Sequence, residues 1–413
     1  MTTMKKITIK EKKDTFDKMA AKIPGAIRTK TGVIIPIDDK GGIFHVTDFG
    51  PINTAEDQKF GDLWGVYKVI CNEADLDRIV KPSALDDYLL KIRAESILDN
   101  PRLIRVFQKR FNNSEGMTLS KWYNRNDRQN LYINNVSKGN HDKLFKVPVG
   151  TAMISRANAI CMPVDKGNII IVSEKLIYAL YFFNIFLFGQ SLDFTDQECF
   201  TAYVIALRVY YGHESLDFDL DPRGDFPEYI ENHLQEITTM QYNFILGHEY
   251  AHHLLGHLKE SKLVDEYLLN SDNSSIFPHY KHRFKEEYDA DWHSIKNIKG
   301  DNNYRSSLAD AAFTCFYFFY VLEQVGEYFS PQGKSHAKTH PYALDRMRHL
   351  RSHLKSSCGI SREYLDKTKQ YIDQVTGHFL NEILPYHVDE FERYGSHYFK
   401  RFKDKILRDR VDY

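Results

Sequence analysis

The spacing of apolar positions changes character along the chain. From Glu174 onward, apolar residues recur every three to four positions over long stretches, the period of a helix that buries one face. This spacing predicts helices over Glu174–Phe188, Asp196–Tyr211, Glu228–Lys259, Phe284–Ile298 and Ser306–Phe329. Pro341 can open a further helix, running to about Ser356, because its missing N–H is not needed in a first turn. One or two more helices follow, ending in the basic segment Tyr398–Asp412. Just before the helical half, Asn158–Val164, the turn Asp165–Asn168 and Ile169–Ser173 read as a β-hairpin.

The first 150 residues are mixed. Val33–Ile37, Phe44–Val46 and Val66–Ile70 read as short strands, and Leu85–Leu98 and Pro101–Phe111 as helices. The polar stretch Asn112–His141 reads as a long surface loop. The expected class is α+β. A mixed α/β region over 1–150 precedes a mostly helical unit with a small sheet over 151–360, and a helical extension covers 361–413.

Composition sharpens this picture. The chain has 413 residues, and Phe and Tyr number 27 and 26 against 22 Gly and 13 Pro, which favours long aromatic-packed helices over turn-rich β structure. Lys and Arg number 55 and Asp and Glu 56, so no large basic excess points to nucleic acid or anionic lipid as partner. The runs Leu176–Gly189 and Ala311–Val325 are apolar but shorter than the roughly 20 residues a bilayer needs, and they read as core helices. The charged N-terminus has no apolar stretch typical of a secretory signal. Five scattered cysteines without a CxxC pair read as reduced, packed thiols, the pattern of a cytoplasmic protein.

The strongest chemical signal is His248-Glu249-Tyr250-Ala251-His252 on the Glu228–Lys259 helix. Residues four apart share a helical face, so both imidazoles can reach one ion, and Glu249 lies about 100° round the helix, placed to act as a base on water. By chance the pattern is expected in roughly one chain in twenty of this kind, so alone it is only suggestive. A catalytic zinc site needs a third ligand. Glu287, 35 residues past His252 and on its own helix, can supply a carboxylate. Asp291, one turn on, can accept a hydrogen bond from the outer nitrogen of a ligating histidine. The bland alternative is a solvated acidic helix face. His257 falls five residues after His252, off the register a third histidine ligand would need.

These motifs together resemble the gluzincin metalloproteases, and most nearly the Lit-type phage-exclusion peptidases. The match rests on HExxH with His257 following, Glu287-Tyr288-Asp289-Ala290-Asp291, and Thr339-His340-Pro341 with Arg346. It covers roughly residues 155–355. The resemblance implies a zincin-like fold and Zn2+ held by His248, His252 and Glu287. It also implies Glu249 as catalytic base, His340 as a donor to the oxyanion, and Arg346 as a residue that positions His340 or pairs with a carboxylate. The substrate implied is a cytosolic protein, with elongation factor Tu as the known target of Lit-type enzymes, and the trigger implied is phage-derived. Ala157–Val164 or Ile169–Ser173 would offer an edge to an extended substrate. The rival readings are a non-hydrolytic zinc sensor and a membrane-docked quality-control protease. The intact Glu249 speaks against the first, and the absence of long apolar spans against the second.

Three other signals carry less. Asp217–Glu228 spaces its acids like a calcium-binding loop, but Pro222 stands where that loop needs glycine, so a solvated acidic linker is expected. His349 and His353 read as a partly exposed pair rather than a metal site. The basic tail reads as a helix whose apolar stripe packs on the domain.

Overall fold

The computed structural model describes residues 9–36, 43–47, 55–114, 116–124, 128–155, 157–221, 223, 226–257, 262–264, 279–281, 283–300, 302–329, 340–355, 358–401 and 412. The protein is mostly helical with small sheets, an α+β architecture. Two compact units divide at Lys68 and Val69. Residues 69–150 and 361–413 thus fold in the same unit as 151–360.

In the first unit, a helix over Ile9–Lys22 accompanies the antiparallel strands β1 (Ile27–Arg28), β2 (Val33–Pro36) and β3 (Ile43–Val46). The segment expected as a strand over Val66–Ile70 is instead the end of a helix, Asp62–Tyr67, followed by a turn. Val66 is 54% exposed, so no sheet face claims it, and the run of apolar residues carries no β signal without one.

The second unit holds a three-stranded sheet in the order β4 (Val149–Ala152), β6 (Gly167–Ser173), β5 (Ala159–Val164). The hairpin β5–β6 forms with Val164 opposite Gly167. β6 lies in the middle with strands on both sides, so of the two segments expected to offer an edge β5 alone has an outer one; the edge expected of Ile169–Ser173 does not exist. The helix Leu85–Leu98 covers this sheet, where Leu89 packs against Ala152, Ile169 and Ile171.

The helices Glu174–Phe188, Asp196–Tyr211, Glu228–Leu255 and Asn302–Phe329 build the main core. By length and composition Glu174–Leu192 could cross a membrane, but Leu180, Phe182, Phe183 and Phe186 are buried inside the protein. The aromatic run on the Asn302–Phe329 helix is core as well, with Phe313, Phe316 and Phe318 fully buried. Three of these helices are keyed together by buried polar groups. Gln241 Nε2 donates to Asn184 Oδ1 at 2.9 Å and Thr314 Oγ1 at 3.0 Å, and Asn184 Nδ2 returns a bond to Gln241 Oε1 at 2.8 Å. Such groups are costly unless mutually satisfied, so they fix the helix register two turns before His248.

The polar stretch expected as a loop over Asn112–His141 contains three short helices, Leu119–Tyr123, Arg128–Asn134 and Lys138–Leu144. Helices this short do not persist on propensity alone. Sparse anchors hold them: Leu119, Tyr132 and Leu144 are fully buried amid polar neighbours.

The acidic segment from Asp217 is not a solvated linker. Asp217 and Asp221 are buried, Arg223 Nη1 lies 3.3 Å from Asp217, Tyr398 donates to Asp221, and Arg110 forks onto Asp219 at 2.6 Å. Its spacing of acids matches buried arginines rather than a cation. His349 and His353 lie tilted against Tyr288 and Trp292 at the surface, as expected of a partly exposed pair. All five cysteines are free thiols, four of them buried. Most of the basic tail, 402–411, lies outside the described residues.

Candidate metal centre

The motif helix Glu228–Leu255 begins with Glu228 and Glu231 in its first turn, where carboxylates suit the positive end of the helix dipole. It stops at Gly256, whose φ of +75° is the left-handed conformation that glycine adopts without strain. That turn brings the next residue back, so His257 Nδ1 lies 2.9 Å from His252 Nδ1. His257 therefore backs a ligand candidate rather than joining it.

The second element is the helix Phe284–Lys296, on which Glu287 and Asp291 share a face one turn apart. Both are fully buried, which overturns the solvated acidic face. The third is the helix Ala343–His353, which starts after His340-Pro341 and is capped when Glu323 accepts from Ala343 N–H at 2.9 Å. It carries Arg346 inward.

His248, His252 and Glu287 form a buried group that could hold a metal ion. His248 Nε2 and His252 Nε2 are 3.0 Å apart, and each lies 3.5 Å from a Glu287 oxygen. Three ligands at zinc-like bond lengths in a tetrahedron sit about 3.3 Å apart, so the spacing fits. Glu287 Oε1 is buried without a hydrogen-bond partner, a costly arrangement that a cation would relieve. Glu287 Oε2 is held by His340 Nδ1 at 2.6 Å.

Outer bonds orient each ring. His248 Nδ1 meets Asp291 Oδ1 at 2.9 Å, so its proton sits there and Nε2 offers a lone pair. Arg346 forks onto the same carboxylate, Nη2 to Oδ1 at 2.6 Å and Nε to Oδ2 at 2.8 Å. The guanidinium also lies over the Phe316 ring, 5.1 Å from its centroid. Arg346 thus pairs with a carboxylate, deep in the protein, and is not a surface salt bridge.

Glu249 is 8% exposed and is not among the three ligand candidates. Its Oε2 accepts the backbone N–H of Cys161 at 2.8 Å. Cys161 lies on β5, so the outer edge of that strand faces the base. Burial pushes the Glu249 carboxyl above its ordinary pKa, with the His248 charge opposing and the Glu287 charge reinforcing the rise. Burial likewise opposes ionisation of Glu287 and Asp291, but His340 and His248 for the first, and Arg346 for the second, hold both below the usual carboxylate range.

Without a metal, burial alone would lower the pKa of His248, yet its bonds to Asp291 and Glu287 raise it to about 10. The sign follows from linkage. A raised folded-state pKa stabilises fully below the unfolded value of 6.5 and is lost as pH rises through 10. The metal-free protein is therefore expected to lose stability between pH 6.5 and 10. Denaturant midpoints of chelator-treated protein at several pH values check this, and a flat profile would contradict it.

One supporting contact leaves a mark in the sequence. Gly247 sits inside the motif helix, where glycine costs about 1 kcal/mol relative to alanine. A Cβ there would lie 2.5 Å from the Tyr132 ring. Tyr132 donates to Ser294 O at 2.7 Å and stacks on Tyr250, wedging the back of the motif helix. Gly247→Ala is expected to cost roughly 1–3 kcal/mol, read from the denaturant midpoint. By contrast, no sequence pattern marks the Cys161 N–H, because a main-chain donor has no residue identity.

No protein-family model, curated protein or solved structure matches this chain.

Proposed function

We propose that the protein is a zinc-dependent endopeptidase with a zincin-like catalytic unit, acting on a cytosolic protein. The observation that carries this reading is Glu249. The three-ligand group alone would serve a structural ion equally well. A buried carboxyl with a raised pKa, next to that group yet outside it, is the property of a proton carrier.

His248, His252 and Glu287 would hold Zn2+, which supplies Lewis acidity to water and to a carbonyl oxygen. Glu249 takes the proton from the attacking water and delivers it to the leaving amine nitrogen. The Cys161 N–H keeps that carboxylate aimed at the site. His340 is 40% exposed, with Nδ1 on Glu287, and its other nitrogen serves as donor to the oxyanion. The outer edge of β5 suits an extended peptide added as a strand. The motif resemblance favours a role in phage exclusion, with a translation factor such as elongation factor Tu as substrate and a phage-derived trigger.

The test is to purify the protein, measure its metal content and count new N-termini in a cytosolic extract, with and without a phage lysate. One zinc per chain and cleavage that stops with 1,10-phenanthroline are expected. A stoichiometric zinc with no cleaved protein under either condition would favour the non-hydrolytic sensor.

A further inference from the structure

The hairpin β5–β6 is tied to the motif helix by hydrogen bonds at two places. One is the Cys161 N–H on Glu249 Oε2 at 2.8 Å. The other joins Asn168 to His253, with Asn168 Nδ2 2.8 Å from His253 Nδ1. An amide nitrogen only donates, so His253 Nδ1 is the acceptor and the ring carries its proton on Nε2. His253 directly follows His252 on the helix but is not one of the three residues that converge. Asn168 and His253 are both half-buried.

The two ties are matched in spacing. Glu249 and His253 stand four apart on one helical face, with about 6 Å of rise between them. Asn168 lies opposite Pro163, which is two residues along β5 from Cys161. Two residues of strand cover about 6.6 Å. Nearly equal lengths let the hairpin lie along the helix in one register. A single tie at Cys161 would act as a pivot, about which the hairpin could swing and carry its N–H off the carboxylate. The second tie removes that freedom. The turn of the hairpin is held as well, by the Tyr88 hydroxyl donating to Asp165 Oδ2 at 3.2 Å and by Lys166 Nζ donating to Ser83 O at 2.5 Å. Those two bonds lead to the start of the Leu85–Leu98 helix, not to the motif helix.

We propose that His253 is a positioning residue for the reaction: through Asn168 it holds β5 in register with the motif helix, so that the Cys161 N–H stays on Glu249. The effect on cleavage rests on Glu249 as the base. The register itself needs neither metal nor substrate, so it can be measured separately.

The test compares two variants of the full-length protein. His253→Phe keeps a ring and removes the acceptor. His253→Asn keeps an acceptor, because its Oδ1 stands as many bonds from Cβ as Nδ1 does. In His253→Phe, residue-resolved hydrogen exchange at the Cys161 amide should quicken by about tenfold or more, while the amides of His248 to His252 stay protected. Zinc per chain should not change. The rate at which new N-termini form in a cytosolic extract with phage lysate should fall by roughly tenfold to a hundredfold, the scale on which small misplacements act. His253→Asn should restore both the exchange and the rate. Unchanged Cys161 exchange in His253→Phe overturns the proposal, as does an equal fall in cleavage in both variants. Loss of zinc from His253→Phe also overturns it, because the residue would then act through His252. No new N-termini from the wild type would overturn the peptidase reading and the positioning role with it, whereas unchanged exchange in an active protein removes only the role of His253.

Discussion

Glu249→Gln is expected to lower peptide hydrolysis by roughly a hundredfold to ten-thousandfold while leaving the bound metal in place. The substitution is nearly isosteric. The glutamine side-chain oxygen can still accept the Cys161 N–H, so the local packing at this buried position survives. What disappears is the ability to take and return a proton. Metal content should hold because His248, His252 and Glu287 converge without Glu249. The measurement pairs elemental analysis of the purified variant with a comparison of newly formed N-termini in cells carrying wild type or variant, with and without phage challenge. Full cleavage by the variant would remove Glu249 from the chemistry. Loss of the metal along with activity would show a structural defect instead, and would leave the base unassigned.

The parts of this site that were legible in the sequence are those with a fixed spacing on one helix. His248 and His252 fall on one face by periodicity, and so do Glu287 and Asp291. Their convergence across helices was not legible from spacing, and it came from the motif resemblance. The roles around the metal group were legible in part. Asp291 behind His248 followed from the chemistry of imidazole ligands, whereas the exchange of partners between Arg346 and His340 did not. Arg346 bonds Asp291 and His340 bonds Glu287, because the two carboxylates stand one turn apart on a single helix and each meets a different residue of the segment opposite. The fold shows the same division. Helices with a continuous apolar stripe had correct positions, including Glu174–Phe188 and Asp196–Tyr211. The short helices between Leu119 and Leu144 were hidden, since each is held by one or two anchors amid polar residues. The acidic segment from Asp217 misled because a row of acids reads alike whether it faces water, calcium or a buried arginine.

The buried cluster Arg346–Asp291–His248 permits a prediction in which two neighbouring substitutions act on different properties. Asp291 serves two partners at once, Arg346 on one side and His248 on the other. Asp291→Asn removes the charge that fixes the His248 proton on Nδ1 and makes Nε2 a better ligand. Changes to such outer partners typically cost 10- to 100-fold in metal affinity, and the same loss is expected here. It also leaves the Arg346 guanidinium, which lies 3.4 Å from His248 Nδ1, with the more distant Glu287 carboxylate at 3.9 Å as its ion-pair partner. Arg346→Met acts differently. Breaking a buried pair by removing one partner costs about 3–5 kcal/mol, so stability should fall. Asp291 keeps its bond to His248, however, and with the competing cation gone it is the more basic acceptor. Zinc affinity should therefore hold or rise in Arg346→Met even as the metal-free protein weakens. Competition with a chromophoric zinc chelator gives the affinity, and denaturant melts of chelator-treated protein give the stability. Equal loss of zinc affinity in both variants would mean that Arg346 helps to place Asp291, and that the carboxylate cannot orient His248 without it.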